Sequence, residues 1–226
     1  MEKLMAKHWH HIAGAEVVDL LQTDPDRGLD EFEVKHRQER FGPNLITGKG
    51  GKGPLVRLLL QFHQPLIYIL LAAGAVTAAL GEWVDSGVIF GVVLVNAAIG
   101  FLQESKALEA IAALARTMVA ETTVLRAGLK RRISFTEVVP GDLVLLQPGD
   151  KVPADMRLIE IRDLQVDESS LTGESVPVKK KRGTLGPDTV LADRRNMAYA
   201  STLVTYGQGS GVVVAIGNAT EVGRIS

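Results

Sequence analysis

The sequence predicts a mixed fold: a two-helix transmembrane hairpin joined to an all-β domain of distorted jelly-roll or barrel-like type, with short N-terminal helices. Three observations predict it. Apolar residues concentrate between Leu55 and Leu102, where charges are sparse. Ahead of that block, apolar spacing and turn residues mark short helices with start and stop signals. Behind it come many short apolar runs separated by turn residues, the pattern of a compact β-domain.

The chain has 226 residues, 46% of them hydrophobic and 23% charged, a globular average that hides the uneven distribution. Lys and Arg number 25 against 26 Asp and Glu, so charge gives no argument for a nucleic-acid partner. Without cysteine, disulfides, thiolate metal sites and thiol nucleophiles are excluded. Met1 to His11 contains Glu2, Lys3, Lys7 and three histidines, and no apolar core of signal-peptide length follows.

The expected boundaries are residues 1–53 for an N-terminal cytosolic helical segment, 54–118 for the hairpin and its stalk, and 119–226 for the β-domain. In the first segment, Val17, Val18, Leu20 and Leu21 give Ala15 to Gln22 helical spacing. Asp24-Pro25-Asp26-Arg27-Gly28 is a turn. Asp30 caps a second helix, with Glu33 completing a capping-box-like pattern. Phe41-Gly42-Pro43-Asn44 stops it, and the glycine-rich, basic stretch Lys49–Pro54 reads as a flexible linker. His8, His10 and His11, next to Trp9 and without a carboxylate partner, are not expected to hold a metal.

The uncharged run Leu66 to Leu80 is shorter than the roughly 20 residues that cross a bilayer as a helix, and Gln61 to Pro65 would extend it. The run Gly87 to Leu102 contains Asn96, which reads as a packing residue that hydrogen-bonds across the hairpin, with a place on an ion path as the alternative. Gly81 to Ser86 connects the two, with Glu82 in a wet turn and Trp83 at the interface. Lys49, Lys52 and Arg57 precede the hairpin, Lys106 and Arg116 follow it, and the connection has no Lys or Arg. That asymmetry puts both ends in the cytoplasm and the Glu82–Asp85 turn outside; the membrane itself is expected to be a plasma or inner membrane. A buried hairpin of a soluble protein is the competing reading. Ser105 to Met118 continues the second helix as a stalk.

In the β-domain, Thr122 to Arg126 and Lys130 to Ile133 flank Ala127-Gly128 as a hairpin. Leu143 to Gln147, Met156 to Ile161, Met197 to Thr205 and Gly211 to Ile216 are further strands, with Pro140-Gly141-Asp142 and Pro148-Gly149-Asp150 as turns. Pro153-Ala154-Asp155 reads as a bend whose Asp155 makes backbone hydrogen bonds. Lys179-Lys180-Lys181-Arg182 reads as a solvated loop.

Chemistry concentrates in Asp167-Glu168-Ser169-Ser170-Leu171-Thr172-Gly173-Glu174-Ser175. Leu171 anchors a loop, Thr172-Gly173 makes a tight tip, Glu174 projects from it and Pro177 re-rigidifies the exit. Such a carboxylate can hold a water and take its proton as the water attacks an electrophile. The glycine lets backbone approach an anionic group, and neighbouring Thr172 and Ser175 hydroxyls can hydrogen-bond it.

These words, in this order, resemble the P-type ATPases: Pro140-Gly141-Asp142, Gly149 to Asp155, and Asp167 to Ser175, with Phe41 to Asn44 upstream, Gln103 to Ala107 at the end of the second span, and Asn196-Met197 and Thr220 to Ile225 closing the domain. The resemblance covers the chain from about Trp9 onward. It implies an actuator domain whose Glu174, shaped by Thr172, Gly173 and Ser175, positions the water that hydrolyses an aspartyl phosphate on another domain. The family's Asp-Lys-Thr-Gly phosphorylation motif is not in the sequence. The resemblance therefore implies a fragment of a pump: inactive alone, binding neither ATP nor Mg2+ itself, with no metal site. Its expected partners are the phosphorylation, nucleotide-binding and remaining membrane parts, the transported cation and the lipid bilayer. The N-terminal segment and Gln103 to Ala107 look most like the calcium-pump branch, with proton, sodium and magnesium open. The alternative reading is a non-catalytic, membrane-anchored interaction module.

Overall fold

The computed structural model describes residues 8–46, 53–117 and 120–225. Helices α1 (Gly14–Leu20) and α2 (Glu31–Phe41) precede three apolar ones, α3 (Pro54–Gln61), α4 (Pro65–Ala79) and α5 (Trp83–Thr117). Among the described residues seven strands follow: β1 (Glu121–Arg126), β2 (Leu129–Ser134), β3 (Leu143–Leu146), β4 (Asp155–Asp167), β5 (Val178–Lys179), β6 (Met197–Ala198) and β7 (Leu203–Ala215). Short helices α6 (Ser169–Thr172) and α7 (Glu221–Ile225) lie between β4 and β5 and after β7. The chain forms two compact units, one from residues 1–48 and 119–226, the other from 49–118.

In the first unit the local signals act as expected. The Asp30 side chain accepts the Glu33 amide at 2.7 Å and caps α2, while Gly42, at φ 72°, ends it. The cap is one-sided, because the Glu33 carboxylate turns forward to Arg37 Nε at 2.8 Å instead of back to the Asp30 amide. Arg37 is buried and also donates to the Pro140 and Leu21 carbonyls. Asn44 ties this segment to the β-domain: Nδ2 donates to Phe135 O and Pro153 O, and Oδ1 accepts the Gly217 amide. The expected linker at Lys49–Pro54 falls mostly outside the described residues.

The strands make one antiparallel sheet, in the order β2-β1-β3-β7-β4-β5, with β6 pairing the start of β4. The β1–β2 turn has both central φ positive, 50° at Ala127 and 77° at Gly128, the backbone twist that a two-residue hairpin favours. Side chains alternate across the sheet. Val124, Val144, Met156, Leu158 and Val213 enter one core with Leu164, Val166 and Val204. Leu143, Val212 and Val214 face the other way and bury Val17, Val18 and Leu21 from α1 and its end, together with Trp9. Short N-terminal helices thus cover a face that would otherwise be wet and apolar. The sheet path has ends at β2 and β5 rather than a closed ring, and register shifts along β4 bend it.

Two strand expectations need correction. Met197 to Thr205 is not one strand: β6 ends at Ala198, and β7 begins at Leu203. Gly211 to Ile216 is the end of that longer β7, which runs through Gly207, Gly209 and Gly211. Those glycines punctuate the sequence like a loop, yet they sit where β4 crosses closely: a Cβ on Gly209 would collide with the Glu160 carbonyl, and one on Gly211 would crowd Arg157 O and Met156 Sδ.

In the second unit, α4 and α5 pack along a narrow stripe. Ile67 and Gly74 are buried on α4; Ser86, Val93 and Ala97 on α5. Ser86 Oγ donates to the Gly74 carbonyl at 3.0 Å, and Gln61 Nε2 donates to Glu104 Oε2 at 2.7 Å. Helix α5 runs unbroken for 35 residues, about 52 Å at 1.5 Å per residue, so the helical continuation from Ser105 holds through Thr117; Met118 lies outside the described residues. Its stretch Trp83–Ala110 is long and apolar enough to cross a membrane, with mean hydropathy 1.9 and 17% of its most apolar window buried. Most of that apolar surface is therefore uncovered, unlike the core helix of a soluble protein.

The first expected span departs from the expectation. Gln61 to Pro65 does not extend α4; α3 and α4 meet at a 65° bend and reach spanning length only when taken together. Pro65 has no amide to give and keeps its predecessor out of the helical region, and Gln64 is extended at φ −127°, ψ 141°. The connection is also shorter than expected, since Trp83 to Ser86 already form the first turn of α5. Asn96 is exposed on α5 rather than buried against α4, which corrects the packing role expected for it within this helix pair.

Candidate functional site

The segment after β4 is built by short-range hydrogen bonds. Asp167 Oδ1 accepts the Ser169 amide at 2.9 Å, and Ser169 holds that carboxyl below its ordinary range. The Glu168 carbonyl accepts the Leu171 and Thr172 amides, each at 2.9 Å, and the Thr172 hydroxyl at 3.1 Å. Helix α6 is a single turn, ended by Gly173 in the left-handed region at φ 78°, a conformation other residues adopt only with strain. The Thr172 hydroxyl then accepts the Glu174 amide at 3.3 Å. Leu171 is half-buried and packs against the core cluster that includes Val17 and Tyr199.

Beyond this anchor the chain is in solvent. Gly173, Glu174, Ser175, Val176 and Pro177 are all exposed. Of the four residues expected to form the site, Thr172 and Gly173 shape the tip, and Glu174 and Ser175 lie exposed beyond it. The carboxylate of Glu174 is free to meet a group outside this unit.

The roots of the loop hold what sequence reasoning missed. Glu168 and Lys180 form an ion pair at 2.5 Å with side chains 1% exposed on both sides. Burial pushes the Glu168 carboxyl up and the Lys180 ammonium down. Lys180 is thus no part of a solvated loop; its amide also donates to the Leu164 carbonyl at 2.9 Å. One buried cation within a run of four carries no distinguishing local signal. Other buried polar groups are scaffold. Arg126 grips both oxygens of Asp142, at 2.8 and 2.7 Å. Arg157 is buried and donates to the carbonyls of Ile12, Leu158, Asn196 and Gly183. The two Pro-Gly-Asp turns close alike, with Asp142 accepting the Val139 amide and Asp150 the Gln147 amide. His10 is buried with Nε2 3.1 Å from the Pro187 carbonyl; burial pulls its pKa down.

Asp155 makes the expected backbone bonds, accepting Ala200 N at 2.9 Å and Glu221 N at 2.7 Å. Burial outweighs them and raises its pKa to about 6 from 3.8. The folded state therefore keeps this proton to higher pH than the unfolded chain does. Its contribution is complete below the unfolded value and is lost as pH rises to about 6, worth up to about 3 kcal/mol at ~1.4 kcal/mol per pH unit. Comparing denaturant unfolding at pH 4 and pH 7, the native chain is expected to lose stability that Asp155→Asn does not lose.

A curled antiparallel domain carrying a carboxylate on a Thr-Gly-Glu tip, in a chain that also holds a long apolar helix, defines the class. Residues 116–226 match the P-type ATPase actuator domain, and residues 9–77 match the N-terminus of cation transporter ATPases. The chain belongs to the P-type cation-transporting ATPase family. It is 55% identical over 217 residues to cation-transporting ATPase pma1 of Synechocystis, covering 96% of this chain and 24% of that protein. It is 52% identical over 216 residues to probable cation-transporting ATPase F of Mycobacterium bovis, covering 96% and 24%. It is 38% identical over 219 residues to a calcium-transporting ATPase of Bacillus subtilis, covering 96% and 25%. The chain thus spans about a quarter of the length of these relatives.

Proposed function

We propose that this chain is the N-terminal part of an ATP-driven cation pump, with calcium as the transported ion. In this reading Glu174 positions and deprotonates the water that attacks an aspartyl phosphate carried by a domain outside the chain. The water oxygen bonds to phosphorus, the bond to the aspartyl oxygen breaks, and phosphate leaves with the carboxylate restored. The observation that carries the reading is the exposed Glu174 at the end of an anchored tip closed by left-handed Gly173.

Among the described residues no group of three or more His, Asp or Glu could hold a metal ion. In this proposal ATP and Mg2+ belong to the remainder of the pump. The bent α3–α4 pair and α5 are the first two spans, with both ends cytoplasmic and the short connection outside. Their uncovered apolar faces meet lipid and the remaining spans. Because the actuator unit is covalently joined ahead of α3 and behind α5, docking of Glu174 would pull on both, a domain movement triggered by a small site.

Calcium follows the Bacillus relative's name and the calcium-branch look of the N-terminal segment. The full-length pump in sealed vesicles is expected to take up radioactive calcium when given ATP, and Glu174→Gln to abolish the uptake. ATP-driven flux of another cation but not calcium would overturn the ion; no ATP-driven flux of any cation would favour the anchored interaction module.

A further inference from the structure

We propose that the buried Glu168–Lys180 pair is the positioning device for Glu174, setting where the Thr172-Gly173-Glu174 tip stands relative to the sheet. The proposal rests on the catalytic reading of Glu174 and deepens it.

Residue 168 is the last before α6 and residue 180 the first after β5, so the pair joins the two roots of the excursion through 169–179. Each root is also fixed by backbone. The Glu168 carbonyl takes three donors from Leu171 and Thr172, which hold the helical half of the tip. The Lys180 amide bonds to Leu164 on β4. The return strand β5 is two residues long, paired at Gln165–Lys179 and Val166–Val178, a weak hold for a loop that must stay in place. The side-chain bridge, 1% exposed at both ends, makes the outgoing and returning arms one body. Lys180 Nζ also lies 5.9 Å from the centre of the Tyr199 ring, within reach of a cation–π contact that limits its freedom further.

Chemistry favours positioning over mere packing. Taking a carboxylate and an ammonium out of water is costly, and two apolar side chains would fill the same space as well or better. What the charged pair adds is direction: one Nζ–Oε1 bond admits few arrangements of the two arms. Among the described residues the second Glu168 oxygen has no hydrogen-bond partner, so the Nζ–Oε1 bond is the hydrogen bond that fixes this carboxylate. A carboxylate that must meet a water and a phosphorus atom needs such definition, since a misplacement of about 1 Å can cost roughly 100-fold in rate.

The test uses the full-length pump. Removing one charge risks misfolding, so the decisive variant is the double Glu168→Gln/Lys180→Met, which leaves no unpaired ion. Phosphorylation by ATP is expected to stay within twofold of the native level while decay of the phosphoenzyme slows tenfold or more. Lys180→Arg, which keeps the charge, is expected to restore decay to within threefold of native. A double variant that decays at the native rate overturns the proposal, provided Glu174→Gln measured alongside is slow. Equal loss of phosphorylation and decay overturns it too, as a structural role would produce. If Glu174→Gln itself decays at the native rate, the catalytic reading fails and the clamp with it.

Discussion

Glu174→Gln in the full-length pump is expected to slow phosphoenzyme decay roughly 100- to 10,000-fold, the range a positioned general base contributes. The amide keeps the size and a hydrogen-bonding oxygen, so the tip made by Thr172 and Gly173 is undisturbed. It cannot accept the proton of the attacking water. Phosphorylation by ATP, which does not use this carboxylate in the proposal, should persist, so the phosphorylated form accumulates. Glu174→Asp keeps the base but withdraws it by one methylene, and is expected to fall between the two. A pulse of labelled ATP followed by an unlabelled chase measures all three.

The largest effect on stability is expected at Arg126. Its guanidinium meets both Asp142 oxygens and the Glu137 carbonyl, and Asp142 is 0% exposed. Arg126→Ala leaves a buried carboxylate held only by the Val139 amide, which should destabilise the chain by about 3–5 kcal/mol. The exposed pair Arg132–Glu121, with side chains 75% and 48% exposed, provides the contrast: Arg132→Ala should cost less than about 1 kcal/mol. Urea unfolding of the two variants in detergent separates them, and similar midpoints would contradict the account of Asp142 as a buried anchor.

What could be read in the sequence was what short-range physics determines. Asp30 caps α2, Gly42 ends it, and Ala127-Gly128 turns a hairpin because each choice depends on a few neighbouring residues. The tip was legible for the same reason: Thr172 and Gly173 act on a backbone only one or two residues away. The failures were non-local. Gly207, Gly209 and Gly211 spell a loop, but β4 packs so close that only glycine fits in the strand. Lys180 sits in a basic run, and nothing nearby tells that Glu168 draws it inside. Pro65 is the local exception: it keeps Gln64 extended and bends the span, whatever the apolar count of the run around it. Asn96 stays exposed on α5 because hydrophobic patterning does not say which face a helix turns to its neighbour.

The account depends on Glu174 reaching chemistry supplied from outside this unit. The chain has no cysteine, so Glu174→Cys places a single thiol in this region, and a second thiol can be set beside the phosphorylated aspartate of the full-length pump. The most direct measurement is oxidative cross-linking of the two, with and without phosphorylation. The account predicts a cross-link that forms readily in the phosphorylated enzyme and slowly before it; absence of the cross-link in the phosphorylated enzyme would contradict it.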